Sequence, residues 1–140
     1  MIAIDTNVLL RYLLDDDKQQ SKRAAKLIDE SETVLITDIV LVETLWTLKG
    51  KKYKLGKDGL IKVLNSLFEE PNLCFEDDQT VWRALSDFRK AKPTRRKALD
   101  FPDALIINKA KYHAESTNQS MDGVYSFDMA AQQLPGAKKL

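Results

Sequence analysis

One cysteine, Cys74, occurs in 140 residues, which excludes a disulfide framework and a cysteine-built metal site. It lies in the short apolar run "NLCF", where a small buried core residue is the expected role. One histidine is present, His113 in "KYHAES" near a predicted helix end. A surface side chain interacting with the helix dipole is expected there rather than a catalytic base. No apolar run approaches the ~18 residues of a membrane span, and the apolar opening of "MIAIDTN" is too short for a signal peptide. A soluble, cytoplasmic chain with no membrane partner is the expectation. Repeats, low-complexity tracts and linkers are missing too, so residues 1–140 are expected to form a single domain. Neither sign of charge is in excess, with 22 basic against 21 acidic residues. Net charge therefore gives no steer toward nucleic acid, and local charge must carry that question.

What is present is a regular alternation. At 44% apolar the chain can bury a core. "IAI" (2–4), "TVLI" (33–36), "LCFE" (73–76) and "GVYSF" (123–127) read as short buried strands. Between them lie helical stretches. "NVLLRYLL" (7–14) follows Thr6 or Asn7 as N-cap, and "KQQSKRAAKLIDE" (18–30) reads as a surface helix. "DIVLVETLWTL" (38–48) is apolar enough for a helix buried on most sides. Apolar residues at 60, 61, 64, 67 and 68 mark another helix, which Pro71 ends. Residues 78–91 place Val81, Trp82, Leu85 and Phe88 on one face, and core packing is expected for both Trp46 and Trp82. A helix follows Pro102, a short one spans "MAAQQL", and the tail "AKKL" is a candidate edge strand. The alternation predicts an α/β fold with a mostly parallel central sheet between helical layers, a three-layer α/β/α sandwich. Ligands of such sheets bind beyond the carboxyl ends of the strands.

Most acidic residues read as solvated surface, "DDD" (15–17) among them, and "EDD" (76–78) as the cap of the next helix. Four others stand apart. Asp5 and Asp128 directly follow apolar strands, Glu43 sits within the apolar helix, and Asp103 opens the helix in "DFPDALI". Asp5 and Asp128 could simply cap helices, and Asp103 could complement a helix dipole. Glu43 is hardest to place, because a charged carboxylate among apolar neighbours needs water or a partner. All four fall where strands end and helices begin. Two carboxylates ~4 Å apart repel by about 1–4 kcal/mol at effective dielectrics of 80 to 20, so a cluster would take up protons or hold a cation. Oxygen ligands suit Mg²⁺ or Mn²⁺. Such an ion activates water and stabilises phosphoryl charge, the chemistry of phosphodiester hydrolysis.

"MIAIDTNVLLRYLL", "TDIVLVETLWTL", "DFPDALIINKA" and "VYSFDMAAQQLPG" together resemble the four acidic motifs of PIN-domain ribonucleases, in order and spacing, across nearly the whole chain. The nearest subgroup in this resemblance is the VapC-type toxins of toxin–antitoxin pairs. The resemblance implies a Rossmann-like α/β/α sandwich and a Mg²⁺- or Mn²⁺-dependent endoribonuclease. It implies Asp5, Glu43, Asp103 and Asp128 as the catalytic, metal-binding set, with Asp5 and Asp103 as direct ligands. Asn7 and Ser126 match positions that orient carboxylates or the scissile phosphate, serine standing where the family more often has threonine. Asp100 is a competitor for Asp103, or a helix cap. A homodimer and an inhibiting antitoxin are implied by the same resemblance.

Two basic runs flank the acidic motifs, Lys49–Lys57 and Arg89–Lys97. They are either solvated loops or a rim that attracts RNA to an acidic pocket. Arg95 and Arg96, just before the Asp103 helix, are the substrate-binding candidates. Two other functions compete with the nuclease. One is a non-catalytic RNA- or partner-binding module on the same fold. The other is an aspartyl phosphatase or phosphotransferase, which "DTN" disfavours because the second acid of an Asp-x-Asp pair is missing.

Overall fold

Each short apolar run ends where a helix must begin, and the elements alternate accordingly. The structure, a computed structural model, describes residues 1–94 and 97–140. They fall into two compact units, Met1–Asp77 and Asp78–Leu140. No helix among the described residues is long and apolar enough to cross a membrane.

The first unit runs β1 (Ile2–Ala3), α1 (Thr6–Leu13), α2 (Lys18–Asp29), β2 (Val34–Ile36), α3 (Asp38–Lys49), α4 (Lys57–Glu69) and β3 (Leu73–Phe75). Its three strands form a parallel sheet in the order β1-β2-β3, with Ile2 opposite Val34 and Val34 opposite Leu73. Val34, Ile36, Leu73 and Phe75 point into the core, while Leu35 and Cys74 between them are half-buried. Cys74 is thus less enclosed than the expected core residue. Parallel strands need helical crossovers, and here two helices separate each strand from the next. Three of the unit's four helix starts are capped by a side chain suited to the task, while α4 follows Gly56 without one. Asp5 Oδ1 accepts from the Val8 amide at 2.9 Å, Asp17 Oδ1 from Gln20 at 3.1 Å and Thr37 Oγ1 from Val40 at 3.4 Å. Asp5, rather than Thr6 or Asn7, is the N-cap of α1. Glu76 Oε2 accepts from the Asp38 amide at 2.6 Å and so serves the start of α3.

Helix α3 departs from expectation. Leu41, Thr44, Leu45 and Leu48 form one buried stripe at helical spacing. The opposite side carries Ile39 at 71% and Trp46 at 60% exposure, so the helix is not buried on most sides. An apolar sequence fixes neither how many sides of a helix are covered nor by what.

The second unit runs α5 (Asp78–Lys90), α6 (Phe101–Ser116), β4 (Val124–Ser126), α7 (Met129–Gln132) and β5 (Ala137–Lys139). Helices α5 and α6 pack together, with Phe88 edge-on to Phe101 at 5.9 Å between ring centroids. Asn108 locks the pair: its Nδ2 donates to Asp87 Oδ2 and to the Ala104 carbonyl, both at 2.8 Å. Trp82 stays half exposed, at 50%, and is not the core residue expected. The tail does form a strand, β5, parallel to β4, after Gly136 turns the chain at φ +90°. His113 is exposed in the last turn of α6, as its position suggested.

Thr44 Oγ1, in the buried stripe of α3, has no hydrogen-bond partner among the described residues. Valine has nearly the same shape and no hydroxyl to desolvate. Thr44→Val is therefore expected to raise stability by about 1 kcal/mol in denaturant unfolding. A fall would show that the hydroxyl is satisfied in solution.

Candidate functional site

In the first unit the end of β1 delivers Asp5 to the start of α1. One carboxylate oxygen of Asp5 serves as the helix cap, and Oδ2 is unpartnered among the described residues. The next side chain, Thr6, donates through Oγ1 to Glu43 Oε2 at 2.7 Å. This bond seats Glu43 of α3 one residue along the chain from Asp5. Glu43 is exposed, so the burial cost expected for it does not arise. The Thr6 hydroxyl and exposure to solvent compensate its charge. Asn7 is exposed in the first turn of α1, and its side chain makes no hydrogen bond among the described residues.

The second unit holds the other two acids. Asp103 lies in the first turn of α6, and its Oδ2 accepts from the amide of Asp100, the N-cap residue, at 3.3 Å. Asp100 thus stands at the N-cap of α6, one of the two roles weighed for it. Asp128 caps α7: Oδ1 accepts from Ala130 at 2.8 Å, and its own amide donates to Ser126 Oγ at 2.9 Å. Its other oxygen, Oδ2, lies 2.7 Å from Lys97 Nζ. Lys97 is positioned by the turn before α6, where Thr94 and Lys97 exchange backbone hydrogen bonds of 2.9 and 2.8 Å. The loop is also tied to the end of α7, because the Gln133 side-chain amide pairs with both the N–H and the C=O of Lys92. Arg95 and Arg96 lie outside the described residues.

These placements set the electrostatics. Burial pushes the Asp103 carboxyl above its usual range, and the charges of Asp128 and Asp100 add to the rise. The Lys97 ammonium, helped by the Ala130 amide, holds the Asp128 carboxyl below that range, and Asp128 in turn raises Lys97. The two acids of this unit are thus set in opposite directions, a pattern that marks functional sites more often than ordinary surfaces. Lys97 was legible only as one cation in a basic run; its pairing with Asp128 depends on tertiary contact.

A family model for the PIN domain matches residues 2–126. The chain belongs to the PIN-domain family. PIN domains are generally metal-dependent nucleases built on an α/β, Rossmann-like sandwich, and the parallel strands and helices of this chain agree with that class. The match takes in Asp5, Asn7, Glu43, Asp103 and Ser126, and ends two residues before Asp128. No curated protein matches the chain. The donor chemistry of the four acids fits the divalent ion that PIN domains use, because all are carboxylates and three keep an oxygen free of protein partners among the described residues. Among the described residues, no three His, Cys, Asp or Glu side chains gather closely enough to hold an ion.

The Lys97–Asp128 pair gives a signed pH prediction. Asp128's carboxyl is depressed, so its contribution to stability is present above the unfolded value of about 3.9 and lost as pH falls through the lowered one. Lys97 is raised, so its contribution is present below about 10.4 and lost as pH rises through the raised value. The melting-temperature gap between wild type and Lys97→Gln should therefore be flat across neutral pH and shrink at both extremes. A gap that widens in acid would contradict the pairing.

Proposed function

We propose that this PIN domain is a divalent-metal-dependent endoribonuclease and the toxin of a type II toxin–antitoxin pair of the VapC kind. The observation that carries the proposal is the family match over residues holding Asp5, Glu43 and Asp103. Because one family model runs through both compact units, we treat residues 1–140 as a single PIN domain in function. Asp5 and Asp103 are the proposed ligands of Mg²⁺ or Mn²⁺, and Glu43 and Asp128 complete the acidic set. When bound, the ion supplies Lewis-acid assistance to the attack of water on a phosphodiester. The chain's own part is to hold carboxylates at strand and helix ends on backbone amides. Asp103, raised by burial, is the acid best suited to gain from a cation. Asn7 and Ser126 are proposed to orient the phosphate or the carboxylates, and Arg95 and Arg96 to attract the RNA. The motif resemblance supports a homodimer, a cognate antitoxin and a cytoplasmic setting.

One finding favours a second reading, a non-catalytic RNA- or partner-binding module. The Lys97 ammonium, 2.7 Å from Asp128 Oδ2, already occupies one oxygen of the acidic set. Incubation of mixed RNA with Mg²⁺, Mn²⁺ or EDTA separates the two. The nuclease reading expects EDTA-sensitive internal cleavage, and RNA left intact in every condition would sink it. Asp5→Asn and Asp103→Asn should each lower the cleavage rate by at least about 100-fold, the upper end of what losing even an outer-shell partner costs at a metal site. Circular dichroism should show both variants folded. Asp103→Asn should melt no lower than wild type at neutral pH, because it removes a charge that burial disfavours.

A further inference from the structure

A groove of about 460 Å³ opens between α1 and α2, and Asp5 stands in its wall. Helix α1 contributes Asn7 and Arg11, one turn or about 6 Å apart along the axis. Helix α2 contributes Gln20, Arg23 and Leu27 from one face. The lining contains two arginines and no lysine, and guanidinium suits the bidentate geometry of phosphate oxygens. Arg11 is already oriented. Its Nε donates to Gln20 Oε1 at 2.7 Å and Nη1 to Asp16 Oδ1 at 2.8 Å, and Asp16 is itself held by the Tyr53 hydroxyl at 2.9 Å. Its Nη2 makes no hydrogen bond among the described residues. Arg23 is exposed and makes no ion pair or hydrogen bond among the described residues. Leu27, 44% exposed, gives the groove an apolar wall.

We propose that this groove is a track for single-stranded RNA leading to Asp5, with Arg23 and Arg11 contacting successive backbone phosphates and the Leu27 wall receiving a base. The inference rests on the ribonuclease reading of Asp5. A phosphate cleaved at Asp5 has neighbours on the same strand, and the groove that holds Asp5 offers them two guanidinium groups. A guanidinium rim suits the phosphates of a nucleic-acid strand, and the aliphatic Leu27 wall beside it offers an apolar surface to a base. An acidic peptide would match the rim alone.

The test is fluorescence anisotropy with a short single-stranded RNA in EDTA, titrated at several KCl concentrations. Arg23→Ala should weaken binding about fivefold to tenfold and make the log–log salt slope shallower by about 0.7, as for one lost phosphate contact on a single strand. Lys22→Ala, an equal charge change on the same helix outside the groove lining, should leave the slope unchanged. With Mn²⁺ present, Arg23→Ala should raise KM for cleavage by a similar factor and keep kcat. Wild-type slope and KM in Arg23→Ala, or an equal effect from Lys22→Ala, would overturn the track while leaving the nuclease reading intact. Weakened binding of polyglutamate with unchanged RNA affinity would assign the groove to an acidic peptide and overturn it equally. A wild-type protein that neither binds nor cleaves RNA would remove both readings together.

Discussion

The first amides of a helix have no partner within the helix, and that constraint organises much of this molecule. Its strands are two or three residues long, and the chain must pass at once into a helix. At the end of β1 and after β4 an aspartate closes the handover, and at the end of β2 a threonine does. A capping aspartate needs only one oxygen for the backbone. Asp5 and Asp103 each keep the second oxygen free among the described residues, whereas Asp128 gives its second to Lys97. Helix capping and metal chemistry look like rival readings of these residues, yet one carboxylate has room for both.

The alternation of strands and helices was legible because short apolar runs and capping residues are local signals. Even the terminal strand β5 could be read from four residues. Exposure was not legible. Trp46, Trp82 and Ile39 are apolar, but whether a neighbour covers them is a tertiary fact, and their sequence spacing is compatible with either outcome. Glu43 shares the exposed face of α3 with Ile39 and Trp46, and the hydroxyl that reaches it comes from Thr6 of α1, a contact no local pattern announces. Lys97 and Asp128 are separated by a helix and a strand, so no local pattern announces their pairing. The pairing of Arg11 with Asp16 and Gln20 shows up only once α1 and α2 lie side by side.

A net charge of +1 conceals strong local matching. Asp16, in a run that reads as exposed acid, accepts from Arg11 and Tyr53, with Lys52 at 3.8 Å. The Tyr53 hydroxyl and the Arg11 guanidinium hold its carboxyl below the usual range. Such exposed pairs contribute little to stability individually. Their effect is orientational, since they leave a guanidinium pointing in one direction in place of many.

The two sheets differ in how far along the chain their partners lie. In the first unit Ile2 must find Val34, and Val34 must find Leu73, across two helices each time. In the second, Val124 finds Ala137 across a single short helix. Each doubling of a closed loop costs roughly 0.6 kcal/mol in chain entropy, so the β4–β5 ribbon closes at the smaller entropic penalty. Asp128 sits inside that short closure. Its surroundings close locally, whereas the sheet that leads into Asp5 depends on segments distant along the chain.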